Sequence, residues 1–177
     1  MAMAGGLFGA AATSRGHVLT SMIGLLSGAV AICSGAAVMS PVFAFLTGAI
    51  AGVLTTFTVG LLENVLKVDD ALACFPVHGV CGIWGVLATG LFGAKVLGGH
   101  PVYGLELADW LPQLGVQALG ALAIAAFTGV CGLILFYILK KVKMLRVVRD
   151  AELFGIDIAL HKTYAYPEEM ADQQFGR

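Results

Sequence analysis

DDALACFPVHGVCGIWGVLATGLFG, residues 69–93, opens on two acids and then runs almost wholly apolar, with a histidine inside the apolar run. If the run is a helix starting near Asp70, a rise of about 1.5 Å per residue sets His78 roughly 12 Å from that end. That depth is near the midplane of a hydrocarbon layer about 30 Å thick. Ionisable groups there are costly and face a cavity, a pathway or a polar partner, so the ring is expected to be neutral. A neutral imidazole offers one donor and one acceptor.

Composition supports a lipid setting. The chain of 177 residues is 59% hydrophobic and 12% charged, where a soluble domain carries about 25% charged residues. Mean hydropathy is +0.92. Glycine, at 24 residues against 5 prolines, suits membrane helices whose backbones approach closely. The net charge of −1 carries little information. No basic patch is interleaved with aromatics, so nucleic-acid binding has no support. The sequence contains no phosphate-cradling glycine loop, nucleophile–base pair or metal shell, so an enzyme is not expected and no cofactor is called for.

Four apolar runs are long enough to cross a bilayer: 18–39, 42–60 with a less pure extension to 66, 71–96 and 111–139. They lack the period-two alternation of strands, and only helices or closed barrels satisfy the backbone in lipid. The expected fold is therefore an all-α membrane protein of four transmembrane helices. Ser40-Pro41 suits a helix start, and Asp69 or Asp70 suits a cap on the third span. Residues 1–14 read as the end of a truncated preceding helix, 15–139 as the membrane bundle and 140–177 as a tail. Arg15, Lys67, Lys140, Lys141, Lys143, Arg146 and Arg149 fall on one side and only Lys95 on the other. The positive-inside rule then makes both termini cytoplasmic. The basic run 140–149 is expected to meet anionic headgroups, at about 1 kcal/mol per residue.

Around His78, helical spacing gathers Cys74, Phe75, Cys81 and Gly82, then Gly85 and Thr89. Glycines leave room beside the ring. Pro76 either kinks the helix or marks its true start. Trp84 reads as helix packing. Cys33, Cys74, Cys81 and Cys131 all lie in apolar runs and read mostly as buried small hydrophobes, not as a disulfide framework. Three roles for His78 stay open on these grounds: an interhelical hydrogen-bond strut, a lining of a conduction path, or one ligand of a metal or haem site with Cys74 and Cys81.

The stretch VDDALACFPVHGVCGIWGVLATGLFG (68–93) resembles the signature region of the ammonium transporter family, relatives of the Rhesus proteins. LFGAAATSRGHVLTSMIGLLSGAVA (7–31) resembles the segment upstream of it, and FGIDIALHKTYAY (154–166) the tail, where Gly155, Asp157, His161 and Tyr166 match and Lys162-Thr163 replaces the usual Gly-Glu. The resemblance implies an eleven-helix channel-like transporter of ammonium and ammonia, of which this chain matches the last four helices. It also implies His78 as the second pore histidine, with Cys74, Phe75, Cys81 and Gly82 beside the pore and Gly155, Asp157, His161 and Tyr166 in a regulatory tail. That tail is either a solvated segment packed under the bundle or a switch that touches a neighbouring subunit. A plasma-membrane location, a homotrimer or a hetero-oligomer with full-length relatives, and a PII-type signalling protein as a docking partner follow from the same resemblance. The half with the first pore histidine has no match here, so this chain alone is expected not to enclose a pore. A fragment, a truncated copy and an assembly with a separately encoded first half all fit. The alternative function is a non-conducting membrane protein that associates with or regulates full-length transporters.

Overall fold

A computed structural model describes residues 1–95, 106 and 110–156. All regular elements among them are helical: α1 (Ala2–Thr13), α2 (Val18–Ile32), α3 (Pro41–Gly60), α4 (Cys81–Phe92), α5 (Trp110–Lys141) and α6 (Arg149–Phe154). Two π-helical segments complete the set. Here π1 (Leu61–Leu66) continues α3, and π2 (Phe75–Val80) leads into α4. The chain divides into two compact units, 1–125 and 126–177, with the boundary inside α5.

Among the described residues, three helices are long and apolar enough to cross a membrane: Pro41–Leu66, Phe75–Phe92 and Leu111–Lys141. They correspond to the second, third and fourth expected spans. The first expected span, 18–39, is shorter than read. Helix α2 has 15 residues, which at about 1.5 Å each is about 22 Å, short of the hydrocarbon thickness. After Ile32 the backbone tightens into successive turns, with the N–H of Cys33 on Val30, of Gly35 on Ile32 and of Val38 on Gly35. Gly35 belongs there, since a side chain on it would meet the Met39 methyl and the Thr89 hydroxyl.

Helix α1 is the packing hub of the first unit. Its small residues, Ala2, Gly5, Gly6, Gly9 and Ala10, are buried against α2 and α3. A Cβ on Gly5 or Gly9 would run into the backbone carbonyl of Phe45 or Ala49 in α3. One on Gly6 would strike the carbonyl of Gly24 in α2. The partners reciprocate: Gly24 and Gly28 face Ala10 and Ala2, and Gly48 and Gly52 face Ala2 and Gly6. Three glycine pairs spaced by four, on three helices, thus bring backbones into direct contact. Apolar side chains gain little by leaving lipid for one another, so close packing and interhelical hydrogen bonds carry the association.

Helix ends follow local chemistry. Arg15 and Gly16 take positive φ values of 55° and 78°, turning the chain between α1 and α2. Ser40 precedes Pro41 at the start of α3, where the missing proline N–H would have had no helical partner. Lys67, left-handed at φ 55°, stops π1, and the N–H of Val68 returns to the Leu62 carbonyl at 3.0 Å.

Candidate functional site

The site is built from residues 69–93. Asp70 sets its start: its carboxylate accepts the N–H of Cys74 at 2.9 Å and of Phe75 at 2.8 Å. Asp69 is exposed, and no hydrogen bond to its side chain occurs among the described residues. Ala73 adopts φ 53° just before the helix, so regular structure begins at Phe75, four residues later than the apolar run suggests. Pro76 lies within the first turn and is fully buried. Of the two readings of this proline, a helix start fits and an interior kink does not.

From Phe75 to Val80 the backbone is π-helical, and the N–H of Cys81 reaches the carbonyl of Pro76, five residues back. Single π-turns occur mostly inside α-helices and are frequent at functional sites. The wider turn breaks the one face that α-helical spacing implied. Phe75 and His78 are exposed, and a Cβ on Gly82 would meet nothing within 4 Å. Cys81 turns the other way and is completely buried. Gly85 lies against the Ala31 carbonyl, and the Thr89 hydroxyl bonds to Ser34 Oγ at 2.7 Å. Cys74 is exposed.

The open side therefore carries an aromatic ring, an imidazole and a glycine gap. The Phe75 ring rests over Gly79, whose added Cβ would come within 3.1 Å of it. Among the described residues no hydrogen-bond partner reaches the His78 ring, so the strut reading finds no partner there. The grouping of Cys74, His78 and Cys81 is also broken, and no three His, Cys, Asp or Glu side chains among the described residues stand close enough to hold a metal ion.

Buried at the end of π2 lies a polar network that sequence reasoning missed. Thr55 in α3 donates to Ser27 Oγ in α2 at 2.6 Å, and the Ser27 hydroxyl in turn donates to the Ile23 carbonyl at 3.0 Å. The Cys81 sulfur lies 3.3 Å from Thr55 Oγ1 and 3.3 Å from the Ala51 carbonyl. All three side chains are fully buried. Ala31, Ala51 and Cys81 form the apolar core beside them, with Leu54 and Trp84 packed against it. Trp84 donates its indole N–H to the Thr47 carbonyl at 3.0 Å and meets Phe92 edge-on. The expectation that cysteines are mostly buried fails: Cys33, Cys74 and Cys131 are exposed and only Cys81 is inside. A thiol is apolar enough for an outward, lipid-type face as well as a core.

Of the remaining singled-out residues, Gly155 ends α6 at φ 99°, its N–H on the Ala151 carbonyl at 3.1 Å. Asp157, His161 and Tyr166 lie outside the described residues, as does His100. His17 is exposed and bonds to Thr20 through Nδ1 at 3.1 Å.

Comparison with known proteins agrees with the motif. The family model described as Ammonium Transporter Family matches residues 1–166. Ammonium transporter Amt1 of Methanocaldococcus jannaschii is 38% identical over 171 residues, covering 96% of this chain and 41% of that protein. Ammonium transporter Amt2 of the same organism is 40% identical over 174 residues, covering 96% of this chain and 38% of that protein. Ammonium transporter 1 member 2 of Arabidopsis thaliana is 38% identical over 156 residues. The chain thus spans about two fifths of the length of its archaeal relatives, and, with a match along nearly its whole length, it belongs to the ammonium transporter family.

Proposed function

We propose that the chain serves transmembrane ammonium transport as the C-terminal part of an ammonium channel, with His78 on the ammonia path. The observation that carries this reading is the open side of π2: an imidazole with no partner among the described residues, between Phe75 and the gap at Gly82, on an otherwise apolar helix. A neutral imidazole can accept a hydrogen bond from ammonia, or donate one to it, in a passage too apolar for a solvated cation. The chain matches about two fifths of each archaeal relative, so in this proposal helices from the rest of a full-length subunit close the passage over that open side. Four crossings, with α2 as the short first one, give cytoplasmic termini by the distribution of Lys and Arg. Membership of a homotrimer, a plasma-membrane site and a PII-type partner beneath the tail belong to the same proposal.

The test is ammonium uptake in a host without ammonium transporters of its own. Joined to the first half of an archaeal relative, the chain should restore saturable uptake, and His78→Leu should abolish it without lowering the amount of folded protein. Expressed alone, it should restore none. Saturable uptake by the chain alone, or full uptake by the His78→Leu fusion, would overturn the reading. If the chain instead lowers uptake when co-expressed with a full-length relative, the non-conducting, regulatory reading replaces it.

A further inference from the structure

The π-helical turn that carries His78 is held from both ends. At its start the Asp70 carboxylate accepts the N–H groups of Cys74 and Phe75. At its end the Cys81 sulfur lies 3.3 Å from Thr55 Oγ1 and 3.3 Å from the Ala51 carbonyl, while the Cys81 N–H reaches the Pro76 carbonyl. Such turns are rare. This one also sets Ala73 at φ 53°, an unfavourable value for a residue with a Cβ. An α-helix would fill the same span with one residue fewer. With both ends in place, it would offer Asp70 the N–H groups of residues 75 and 76 instead of 74 and 75. Residue 76 is a proline and has no N–H. The α-helical register therefore forfeits one of the two cap bonds, and the π register keeps both.

Register decides what faces the open side. One residue of an α-helix subtends about 100°, so removing the extra residue turns the segment by up to that angle. In the π register Val77 is buried and His78 is exposed. In the α register His78 would turn toward the buried place of Val77, and Gly79 would turn toward the open side. We propose that Pro76 and Asp70 are positioning residues for His78: together they lock the π register, and so keep an imidazole on the open side where the other register would put a glycine. The inference rests on the reading of His78 as a lining of the ammonia path.

The test compares crystal structures of the full chain and of its Pro76→Ala variant, read for the carbonyl that accepts the Cys81 N–H. In the variant that bond should move to the Val77 carbonyl, with His78 turned inward. In the fusion with a relative's first half, Pro76→Ala should lower uptake at least about tenfold as the fraction of subunits with His78 on the open side falls, with the amount of folded protein unchanged. Adding Gly79→His to Pro76→Ala returns an imidazole to the open side and should recover most of that uptake. Gly79→His alone should give no gain. A merely destabilised helix would not be rescued in this way. A Cys81 N–H still bonded to the carbonyl of residue 76 in the variant, full uptake by Pro76→Ala, or no rescue by Gly79→His would each overturn the proposal. Uptake that survives His78→Leu would instead remove the transport reading, and the two crystal structures would still decide the register.

Discussion

The Thr55 hydroxyl lies 3.3 Å from the sulfur of Cys81, tying α3 to the residue where π2 gives way to α4. His78 is three residues back and exposed. Its direction is therefore set by groups it does not touch: Asp70 holds the start of π2 through two backbone N–H groups, and Thr55 with the Ala51 carbonyl holds the end. Both anchors are polar, as they must be where apolar contact alone does not distinguish one helix rotation from another.

The Ser27–Thr55 pair should be measurable as a coupling. Interhelical hydrogen bonds in membrane proteins average about 0.6 kcal/mol, with a maximum near 1.7. At 2.6 Å and fully buried, this one is expected in the upper part of that range. A double-mutant cycle with Ser27→Ala and Thr55→Val, read by reversible unfolding in detergent, gives the value. A coupling of zero would show that the network is incidental to helix packing.

Asp70 and Asp69 are adjacent and chemically alike, yet they should behave differently. Asp70→Ala removes the acceptor of two N–H groups and is expected to cost about 1–2 kcal/mol. For a chain of this size that is a fall of several degrees in the unfolding midpoint. Asp69→Ala should change it by less than about 0.5 kcal/mol, as an exposed side chain without a bond does. Thermal unfolding of the two variants side by side decides this, and equal effects would contradict the capping geometry.

Helical character and the positions of the three longer spans were legible, because hydropathy and run length report solvent and helix length directly. The cap was legible only as a choice of two acids, since the turn at Ala73 that selects Asp70 has no sequence mark. The burial of Cys81, Gly85 and Thr89 beside an exposed His78 was not legible, because the spacing rule assumes 3.6 residues per turn and π2 does not obey it. The end of α2 was misread because 33–39 is as apolar as the helix before it, and hydropathy does not register a change of hydrogen-bond pattern. The role of α1 was available in principle: Gly5 and Gly9, Gly24 and Gly28, and Gly48 and Gly52 all carry the four-residue spacing of close helix contacts.

Thiol reactivity should separate the cysteines by burial. In mild detergent a small maleimide is expected to add first at Cys74, at the start of π2, more slowly at Cys33 and Cys131, which lie in apolar runs that detergent covers, and to reach Cys81 only after unfolding. Intact-mass spectrometry counts the additions and peptide mapping locates them. Rapid labelling of Cys81 in the folded protein would mean that the core around Ala31 and Ala51 is open in solution.

Gly82 and Gly85 provide the sharpest contrast, because they are one turn apart on the same helix and differ only in what surrounds them. A Cβ on Gly85 would drive into the Ala31 carbonyl, whereas one on Gly82 would enter open space. Gly85→Ala should therefore force α2 and α4 apart, at a cost of about 1–3 kcal/mol for an overpacked site. Gly82→Ala should leave stability unchanged or raise it by up to about 1 kcal/mol, the difference in helix propensity. Function should reverse that order. The open space at Gly82 lies on the His78 side, one helical turn on, so filling it narrows the proposed path. Gly82→Ala should lower uptake by the fusion with a relative's first half while the protein remains fully folded. Stability without loss of uptake at Gly82 would place the path elsewhere, and a stable Gly85→Ala would contradict the contact between α2 and α4.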